Sequence, residues 1–244
     1  MSDSIVTAPL GRGLQITLNA QKGVSDADAL ELTGLLQHAH ERAAFVVLRS
    51  VGPDFITGRN NPRPPPGTPP AGALERRRFS EVIFDLYGSF RACAVPIVGV
   101  VAGRAMGLGV SVAALCDITF AADTATFQIN EMNHRILPTM VMSSLVDRVA
   151  RKDLMYLVLS RATISAARAQ AVNIVTEVVP AAQLDAKVAE LVAIFEGTPS
   201  IALASVKEYA NAAYDMPIKG AVDFARNVHA VINAAPELQA TPIV

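Results

Sequence analysis

One apolar stretch, from Pro96 to Asp117, constrains the fold of this chain more than any other segment. It opens with PIVGVV, a continuous apolar run of the kind found in strands that are buried on both faces. A turn that contains Gly103, Gly107 and Gly109 follows, and a helix is predicted from about residue 109 to 115. A buried strand that turns directly into a helix predicts a mixed α/β layer rather than a β-sandwich.

The glycine-rich turn also has a chemical implication. Backbone N–H groups at a helix N-terminus have no acceptor within the helix, so they are free to point at an anion or at a developing oxyanion. Taken alone, the pattern fits an oxyanion site, a phosphate site or close packing of a helix on a strand.

Strand and helix patterns alternate along the rest of the first half. An amphipathic helix is predicted over 27–43, behind the cap signal Ser25-Asp26. Further strands are predicted at 14–18, 45–49, 117–121 and 126–128. From Met140 onward the predicted helices are 141–149, 152–160, 165–171, 183–195, 200–214 and 218–234, with 174–179 as the one strand. We therefore expect a helical region attached to the core rather than a second independent domain.

Composition narrows the class of protein. The chain has 244 residues, of which 51% are hydrophobic and 18% are charged, enough apolar material for one large core. Disordered, collagen-like and small disulfide-rich proteins are excluded. Lysine plus arginine number 21 against 22 acidic residues, so no overall field attracts nucleic acid or an anionic membrane, and neither is predicted as a partner.

Cysteine usage and the hydropathy pattern predict a cytoplasmic protein. Cys93 and Cys116 lie in apolar surroundings without metal-ligand spacing, which predicts buried reduced thiols and no metal. The start, MSDSIVTAPLGRG, lacks a basic segment followed by an apolar one, so no secretion signal is predicted. The apolar run 96–122 contains glycines, Arg104 and Asp117, which argues against a membrane span.

A proline-rich segment stands apart from these patterns. Residues 58–72, GRNNPRPPPGTPPAG, contain six prolines and few apolar side chains. Such a segment predicts an exposed, locally stiff loop. Loops of this length are either surface insertions or lids beside a site.

Four blocks of sequence follow one another in a recognisable order. The stretch 96–117 is similar to P-x-I-A-A-V-x-G-x-A-x-G-G-G-x-E-L-A-x-x-C-D, and FITGRN at 55–60 is similar to F-x-A-G-x-D. ATFQINE at 125–131, followed by ILP at 136–138, resembles A-x-F-x-x-P-E and G-x-x-P. LSRATISAARAQAVNIV at 159–175 resembles L-T-G-x-x-I-x-A-x-x-A-x-x-x-G-L-V. Together the blocks resemble the crotonase superfamily of enoyl-CoA hydratases and isomerases over about residues 12 to 235.

This resemblance implies an architecture and an assembly. The expected fold is the crotonase-type α/β fold, a spiral of ββα units with a helical C-terminal region that serves in oligomerisation. We expect residues 1–195 to form the core and 196–244 the helical region of the same domain. The resemblance further implies a homotrimer or a hexamer.

The resemblance also implies a reaction on an acyl-CoA or other acyl thioester. Two peptide N–H groups, of Arg59 and Leu108 by position, would polarise the thioester carbonyl and stabilise an enolate. Glu131 would move the proton. Coenzyme A enters as part of the substrate, so no separate cofactor is expected.

A second glutamate of the family motif is absent. The hydratases place one at the position of Ser111, and a serine is too weak a base to replace it, although it has the hydroxyl to hold a water. A single carboxylate is enough to move a proton between two carbons of an allylic system, whereas water addition asks for a second group. Glu131 alone therefore favours double-bond isomerisation, and the apolar segment before it predicts a raised pKa.

Several further polar residues are weaker candidates for substrate binding. His134 and Arg135 follow Glu131 and are interpreted as carboxylate ligands or as residues that shape the pocket. His229 lies where some superfamily members that form or break C–C bonds place a histidine, although a lone helical histidine is more often structural. The candidate cations for CoA phosphates are Lys22, Arg63 and the run Arg76 to Arg78, which are otherwise solvated charges.

Departures from the family pattern keep other functions open. Asn60 stands where the family has aspartate, the loop 18–23 is short, and residues 140–144 replace G-G-T-Q. These changes bear on tight binding of a conventional acyl-CoA more than on the fold. The alternatives are C–C bond chemistry, by decarboxylation or enolate addition, that uses His229, and a catalytically silent homologue that binds an acyl thioester.

Overall fold

A computed structural model describes residues 4–60 and 67–239. In this part of the chain the strands are β1 (Ile5–Leu10), β2 (Gly13–Leu18), β3 (Val46–Ser50), β4 (Ile97–Val101), β5 (Arg104–Met106), β6 (Ile118–Ala122), β7 (Thr126–Gln128), β8 (Ile164–Ser165) and β9 (Glu177–Val179). The α-helices are α1 (Asp26–Gln37), α2 (Ala73–Ala92), α3 (Leu108–Leu115), α4 (Thr139–Leu145), α5 (Arg151–Ser160), α6 (Ala166–Ala171), α7 (Leu184–Gly197), α8 (Ser200–Ala213), α9 (Ile218–Asn233) and α10 (Pro236–Gln239).

The main sheet has six strands in the order β1-β2-β3-β4-β6-β9. Only the β1–β2 pair of this sheet is antiparallel, and its inner strands are parallel. A second sheet, in the order β5-β7-β8, has a parallel pair β5–β7 and an antiparallel pair β7–β8. The prediction of an α/β fold is confirmed.

The structure differs from the predicted elements at several points, and β5 and α2 were not predicted. The strand β1 was not predicted, because it is a half-exposed edge strand without a continuous apolar run. The helix predicted over 27–43 ends at Gln37, and a 3₁₀ turn, Ala39–Glu41, follows it. The helical half contains a second strand, β8, besides the one predicted near 174–179.

Side chains on the two faces of the sheet belong to two different cores. Val46 and Leu48 on β3 point into the larger core, which α1, α2 and α3 cover. Phe45 and Val47 point into a second core, which residues of α7 and α8 close. The rings of Phe45 and Phe195 meet edge to face with their centroids 5.3 Å apart. The late helices α7 and α8 therefore pack on the sheet, while the division of the chain into a core and a helical region at residues 195 and 196 stays a prediction.

Polar contacts at the junctions fix the ends of the elements. Asp117 lies between α3 and β6. Its carboxylate accepts a hydrogen bond from the N–H of Ile97 at 2.7 Å and forms an ion pair with Lys207 at 2.8 Å. Cys93 and Cys116 are both buried and unbridged, as predicted. Burial raises the pKa of the Cys93 thiol, so this group is a packed apolar side chain rather than a nucleophile.

Residues 4–60 and 67–239 contain neither a single helix that could span a membrane nor a cluster of metal-ligating side chains. No single helix is long and apolar enough to cross a membrane, and the pair Ala181–Gly197 and Ser200–Ala213 reaches that length and composition only across a bend of 109°. In the same residues, no group of three or more histidine, cysteine or acidic side chains is arranged to hold a metal ion.

Candidate active site

A cavity of about 1000 Å³ opens between one face of α2 and the loops at the end of the second sheet. Its apolar wall comes from Phe79, Ile83, Leu108, Ile136, Leu137, Met140 and Val141. Thr68 to Ala71, the described end of the proline-rich segment, also line it. The prolines at 62 to 66 and the cation Arg63 lie outside the described residues.

Three parallel segments of the chain end together at this cavity. Ile56 pairs with Ala105 in a parallel bridge, and β5 pairs in parallel with β7. The residues that follow these pairs are Gly58 and Arg59, Gly107 and Leu108, and Asn130 and Glu131. Because the carboxyl ends of parallel segments meet at the same edge, three distant stretches of sequence are brought to one point.

The peptide N–H of Arg59 points away from Val24, to which the adjacent residues Gly58 and Asn60 are hydrogen-bonded. Val24 donates to the carbonyl of Gly58 at 2.9 Å and accepts from the N–H of Asn60 at 2.8 Å. In such a parallel bridge the middle residue directs its own N–H to the opposite side. None of the described residues accepts a hydrogen bond from the Arg59 N–H, and Arg59 lines the cavity.

The N–H of Leu108 is the second donor without a described acceptor. Leu108 is the first residue of α3, and the carbonyl of Gly107 before it accepts from Val110 and Ser111. The first N–H groups of a helix have no intrahelical acceptor. Among the described residues, the N–H groups of Arg59 and Leu108 are thus two donors on this cavity that have no protein acceptor, and they are available to a ligand oxygen.

The carboxyl group of Glu131 lies directly against Gly107. A methyl group built at Gly107 would collide with Glu131 Oε1, and the backbone φ of Gly107 is +51°. Glu131 Oε2 is buried and has no hydrogen-bond partner among the described residues. Burial raises the pKa of Glu131, and neighbouring backbone N–H groups and His134 oppose part of this rise. The group is therefore suited to take and return a proton.

The side chain of Arg59 holds its loop in place. Its Nε and Nη2 donate to Asp26 Oδ1 at 3.0 and 2.7 Å, and Nη2 also donates to the carbonyl of Phe79 at 2.9 Å. The motif predicts a role only for the backbone N–H of Arg59. The structure adds that the guanidinium ties the donor peptide to the start of α1 and to α2.

One stripe of α2 runs down the cavity wall, and of its residues only Arg76 was predicted from the sequence. Arg76, Ser80, Ile83 and Tyr87 recur at intervals of three and four residues, so they share a face. Arg76 at the outer end is exposed, while Tyr87 at the inner end is 3% exposed. A tyrosine within the apolar periodicity of a helix is the signal that would have pointed to it.

Ser111 lies beneath the cavity surface rather than on it. It is fully buried on α3, and its Oγ has no hydrogen bond of normal geometry to a described residue. It is nevertheless close enough to the hydroxyl of Tyr87 to offset part of the rise that burial causes in the pKa of that phenol. Ser111, at the position of the missing glutamate, therefore does not line the cavity itself but interacts with Tyr87, which does.

The other predicted binding residues divide into two groups. His134 lines the cavity near Glu131, and Arg76 lines its outer end. Lys22, Arg135 and His229 are exposed and do not belong to the described lining of this cavity. His229 contacts Asn233 on its own helix, with 3.1 Å between His229 Nδ1 and the amide nitrogen. The ligand roles assigned to these residues stay predictions.

A comparison of the chain with known protein families shows to which family it belongs. A family model described as Enoyl-CoA hydratase/isomerase matches residues 67–241, more than two thirds of the chain. The chain belongs to the enoyl-CoA hydratase/isomerase family. The matched residues include Leu108, Glu131 and the α2 stripe.

Curated relatives in this family match part of the chain. The probable enoyl-CoA hydratase echA8 of Mycobacterium tuberculosis is 30% identical over 151 residues, 62% of this chain and 59% of the relative. A hydroxycinnamoyl-CoA hydratase-lyase of Pseudomonas fluorescens is 34% identical over 95 residues, 38% of this chain and 34% of the relative. The chain thus spans less than two thirds of the length of these members of the enoyl-CoA hydratase/isomerase family.

Solved structures match the fold over nearly the whole chain. An enoyl-CoA hydratase of Mycobacterium smegmatis superposes with a TM-score of 0.88 at 22% identity, covering 98% of this chain and 94% of the other. Human enoyl coenzyme A hydratase domain-containing protein 3 gives 0.88 at 20% identity, with 97% and 94% covered. The crotonase-type fold predicted from the sequence is therefore confirmed.

Proposed function

We propose that this chain shifts a carbon–carbon double bond in an enoyl-CoA thioester. The thioester oxygen accepts hydrogen bonds from the N–H groups of Arg59 and Leu108. Glu131 removes a proton from C2 of a 3-enoyl thioester, and the electrons of that C–H bond form a dienolate. The protonated Glu131 then returns the proton to C4, which gives the 2-enoyl thioester and restores the carboxylate.

The observation that supports this proposal is the contact between Glu131 and Gly107. It places the carboxylate next to the peptide that supplies the Leu108 donor, so proton transfer and charge stabilisation act on the same few atoms. Each such donor is worth about 3 kcal/mol of transition-state stabilisation in enzymes where one has been removed. Neither donor depends on a side chain, so arginine and leucine at these positions are compatible with the role.

The other carboxylates of the described lining do not compete with Glu131 for this role. Asp26 is held in an ion pair by Arg59, with 2.7 Å between Oδ1 and Nη2. Glu75 is exposed in the first turn of α2. One partly buried carboxylate favours moving a proton within the substrate over adding water.

Charge at the outer end of the cavity supports a CoA thioester as the substrate. Arg76 lies there, eleven residues before Tyr87, or about 16 Å along the helix axis. The wall between them is mainly apolar and suits an acyl chain. We therefore propose that the CoA portion lies toward Arg76 and the acyl carbons toward Tyr87.

A substrate panel tests the proposal. The wild type, Glu131→Gln and His229→Ala are each incubated with a 3-enoyl-CoA, a 2-enoyl-CoA and malonyl-CoA. We expect the 3-enoyl thioester to be converted to the 2-enoyl isomer, with dependence on Glu131 and indifference to His229. Turnover that survives Glu131→Gln would contradict the proposal, and breakdown of malonyl-CoA that requires His229 would select the C–C alternative.

Replacement of Gly107 probes the placement of Glu131. Gly107→Ala is expected to lower turnover about 10- to 100-fold, because the new methyl group must displace the carboxylate and because alanine is strained at φ +51°. Gly34→Ala is the matched control, since a methyl group on that helical glycine meets nothing within 4 Å. Equal turnover of the two variants, measured on folded protein, would be inconsistent with the proposed site.

We also propose that the chain works as a homotrimer or hexamer in the cytoplasm. The apolar side chains left exposed on α9 support an assembly: Ile218 is 81% exposed and Val231 is 69% exposed. Sedimentation equilibrium that gives a single 25.8 kDa species would contradict it.

A further inference from the structure

The guanidinium of Arg59 is a charged group beside the cavity that the proposed proton transfer does not use. Its side chain is 15% exposed and makes three hydrogen bonds, two to Asp26 Oδ1 at 3.0 and 2.7 Å and one to the carbonyl of Phe79 at 2.9 Å. Holding a flexible arginine in one conformation costs entropy, which charge-assisted bonds at a largely buried position offset. The guanidinium therefore fixes residue 59 relative to α1 and α2.

The peptide that carries the Arg59 N–H is restrained mainly from one end. The carbonyl of Gly58 and the N–H of Arg59 belong to the same planar unit, so the bond from the Val24 N–H to that carbonyl at 2.9 Å sets the direction of the donor. Gly58 has a φ of +122°, and a glycine at this position does little to prevent rotation of the peptide that follows it. Further restraint must come from the side of Arg59.

Asp26 supplies that restraint from a rigid place in the fold. It is the first residue of α1, directly behind the N-cap Ser25, which forms a capping box with Asp28. A carboxylate in the first turn of a helix is stabilised by the helix dipole. Asp26 follows Val24 by two residues, so one short segment binds the donor peptide through its backbone and the Arg59 guanidinium through a side chain.

The third bond of the guanidinium attaches the start of α2. The carbonyl of Phe79 lies in the second turn of this helix, and Phe79 lines the cavity. Residues 73–79 are all exposed, and the first buried residue of α2 is Ile83. The bond to Arg59 thus holds a part of the helix whose own side chains do not enter the core. One guanidinium keeps the oxyanion donor and the cavity wall at a fixed separation.

We propose that Asp26 and the side chain of Arg59 are positioning residues, which set the distance between the Arg59 N–H and the thioester oxygen and hence the polarisation of the bound carbonyl. The inference rests on the proposed function for one point, the binding of that oxygen by Arg59 and Leu108. Donors of this kind stabilise the charge of the transition state more than the ground-state carbonyl. A displaced donor therefore lowers kcat and leaves KM nearly unchanged.

Infrared spectroscopy of a bound ligand tests this role without turnover. Butyryl-CoA, isotopically labelled at its carbonyl carbon, carries the thioester but has no double bond to move. We expect binding to the wild type to shift the carbonyl stretch to lower frequency, because hydrogen bonds weaken the C=O bond. Asp26→Ala should lose about half of that shift, since one of two donors is displaced. Asp26→Asn keeps an oxygen that accepts from Arg59, so its shift should be intermediate.

Turnover of a 3-enoyl-CoA is measured on the same preparations. We expect kcat to fall about tenfold in Asp26→Ala, less than for complete removal of a donor, while KM stays within about twofold. Arg59→Met removes the guanidinium but keeps the peptide N–H, and it should lose at least as much of the carbonyl shift. The double variant should lose no more than Arg59→Met, because Asp26 acts only through the guanidinium.

Asp153→Asn is the matched control. It breaks an arginine–aspartate pair of 2.6 Å between α5 and α6, outside the described lining of the cavity. The side chain of Asp153 is 30% exposed against 49% for Asp26, so its loss should disturb the fold at least as much. This variant should keep the wild-type carbonyl shift and kcat. Far-UV circular dichroism establishes folding, and Asp26→Asn and Arg59→Met keep the test available if Asp26→Ala does not fold.

The outcomes separate this inference from the proposed function. The inference is overturned by a wild-type carbonyl shift in Asp26→Ala, by losses that multiply in the double variant, by a loss confined to KM, or by no shift on binding to the wild type. A shift that depends on Asp26 without any turnover that requires Glu131 rejects the proposed function alone. Turnover that requires Glu131, together with a carbonyl shift that is indifferent to Asp26, rejects the inference alone.

Discussion

Glu131→Gln is expected to slow isomerisation by about 10²- to 10⁴-fold, the range typical of losing a positioned acid or base. Glutamine keeps the volume and one carbonyl oxygen but takes no proton. Because the N–H groups of Arg59 and Leu108 remain, binding of the thioester should change little. The loss should therefore fall on kcat rather than on KM.

The same substitution should stabilise the folded protein. Burial raises the pKa of Glu131, so the folded state holds the protonated form more tightly than the unfolded state does. At neutral pH the ionised group therefore opposes folding, and this penalty fades as the pH falls through its raised folded pKa. We expect Glu131→Gln to unfold at higher urea than the wild type at pH 7, with a difference that shrinks toward pH 4.

The pH dependence of turnover should agree with this linkage. Glu131 must be ionised to act as the base, so wild-type kcat should fall as the pH drops through a pKa above the ordinary glutamate range of about 4.3. Glu208→Gln, on the exposed side of α8, is the control and should change neither property. A variant that is as active as the wild type, or that is less stable at pH 7, would show that Glu131 is a structural carboxylate.

The central strand, turn and helix were predictable because their signals are local. The run 96–101 is apolar at every position but one glycine, and β4 begins at Ile97. Gly103 has φ +65°, and a methyl group there would collide with the carbonyl of Pro53. A tight turn at glycine, followed by an apolar helix, leaves few other conformations for this stretch.

The helix that lines the cavity was harder to predict. The α2 segment starts with ALERRRFSE, which is charged and carries no motif of its own, and only its arginines were predicted to have a role. What makes Tyr87 a candidate is the packing of α2 against α3, which brings the hydroxyl to Ser111. Contacts between distant segments of this kind have no local signature.

The histidine on α9 is a candidate that the sequence predicts but that does not belong to the described lining of the cavity. His229 was selected from its place in a motif on a late helix, yet within one chain it is exposed and contacts Asn233. Position in a helix says which face a side chain shares, but not which cavity that face meets. Glu131 was selected from its motif and lies three residues after β7, and parallel strands fix where their ends lie.

Lys207→Met is expected to lower the free energy of unfolding by about 3 kcal/mol. The side chain of Lys207 is 3% exposed, and its ammonium donates to Asp117 Oδ2 at 2.8 Å and to the carbonyl of Val95 at 3.0 Å. Methionine fills a similar volume but leaves a partly buried carboxylate without its counter-ion. Removal of one partner from a buried pair typically costs about 3 to 5 kcal/mol, and the partial exposure of Asp117 places this pair at the lower end.

Two comparisons make the experiment decisive. Lys187→Met removes a half-exposed lysine that pairs with Glu177 at 3.0 Å, and a pair of that kind is worth about 1 kcal/mol or less. Lys207→Met combined with Asp117→Asn removes both charges and should recover much of the loss, while the asparagine oxygen still accepts from Ile97. If the double variant is no more stable than Lys207→Met, the unpaired charge of the partly buried Asp117 is not the cause of the lost stability.

The ion pair of Lys207 and Asp117 also supports the helices that line the cavity. Lys207 on α8 meets Asp117 at the end of α3 and the carbonyl of Val95 just after α2, and these are the two helices that present Leu108 and Tyr87. A loss of about 3 kcal/mol corresponds to a fall in Tm of roughly 6 to 12 °C for a chain of this size. Because the pair joins all three helices, ligand affinity should fall in Lys207→Met below its Tm and stay unchanged in Lys187→Met, which calorimetry with butyryl-CoA measures.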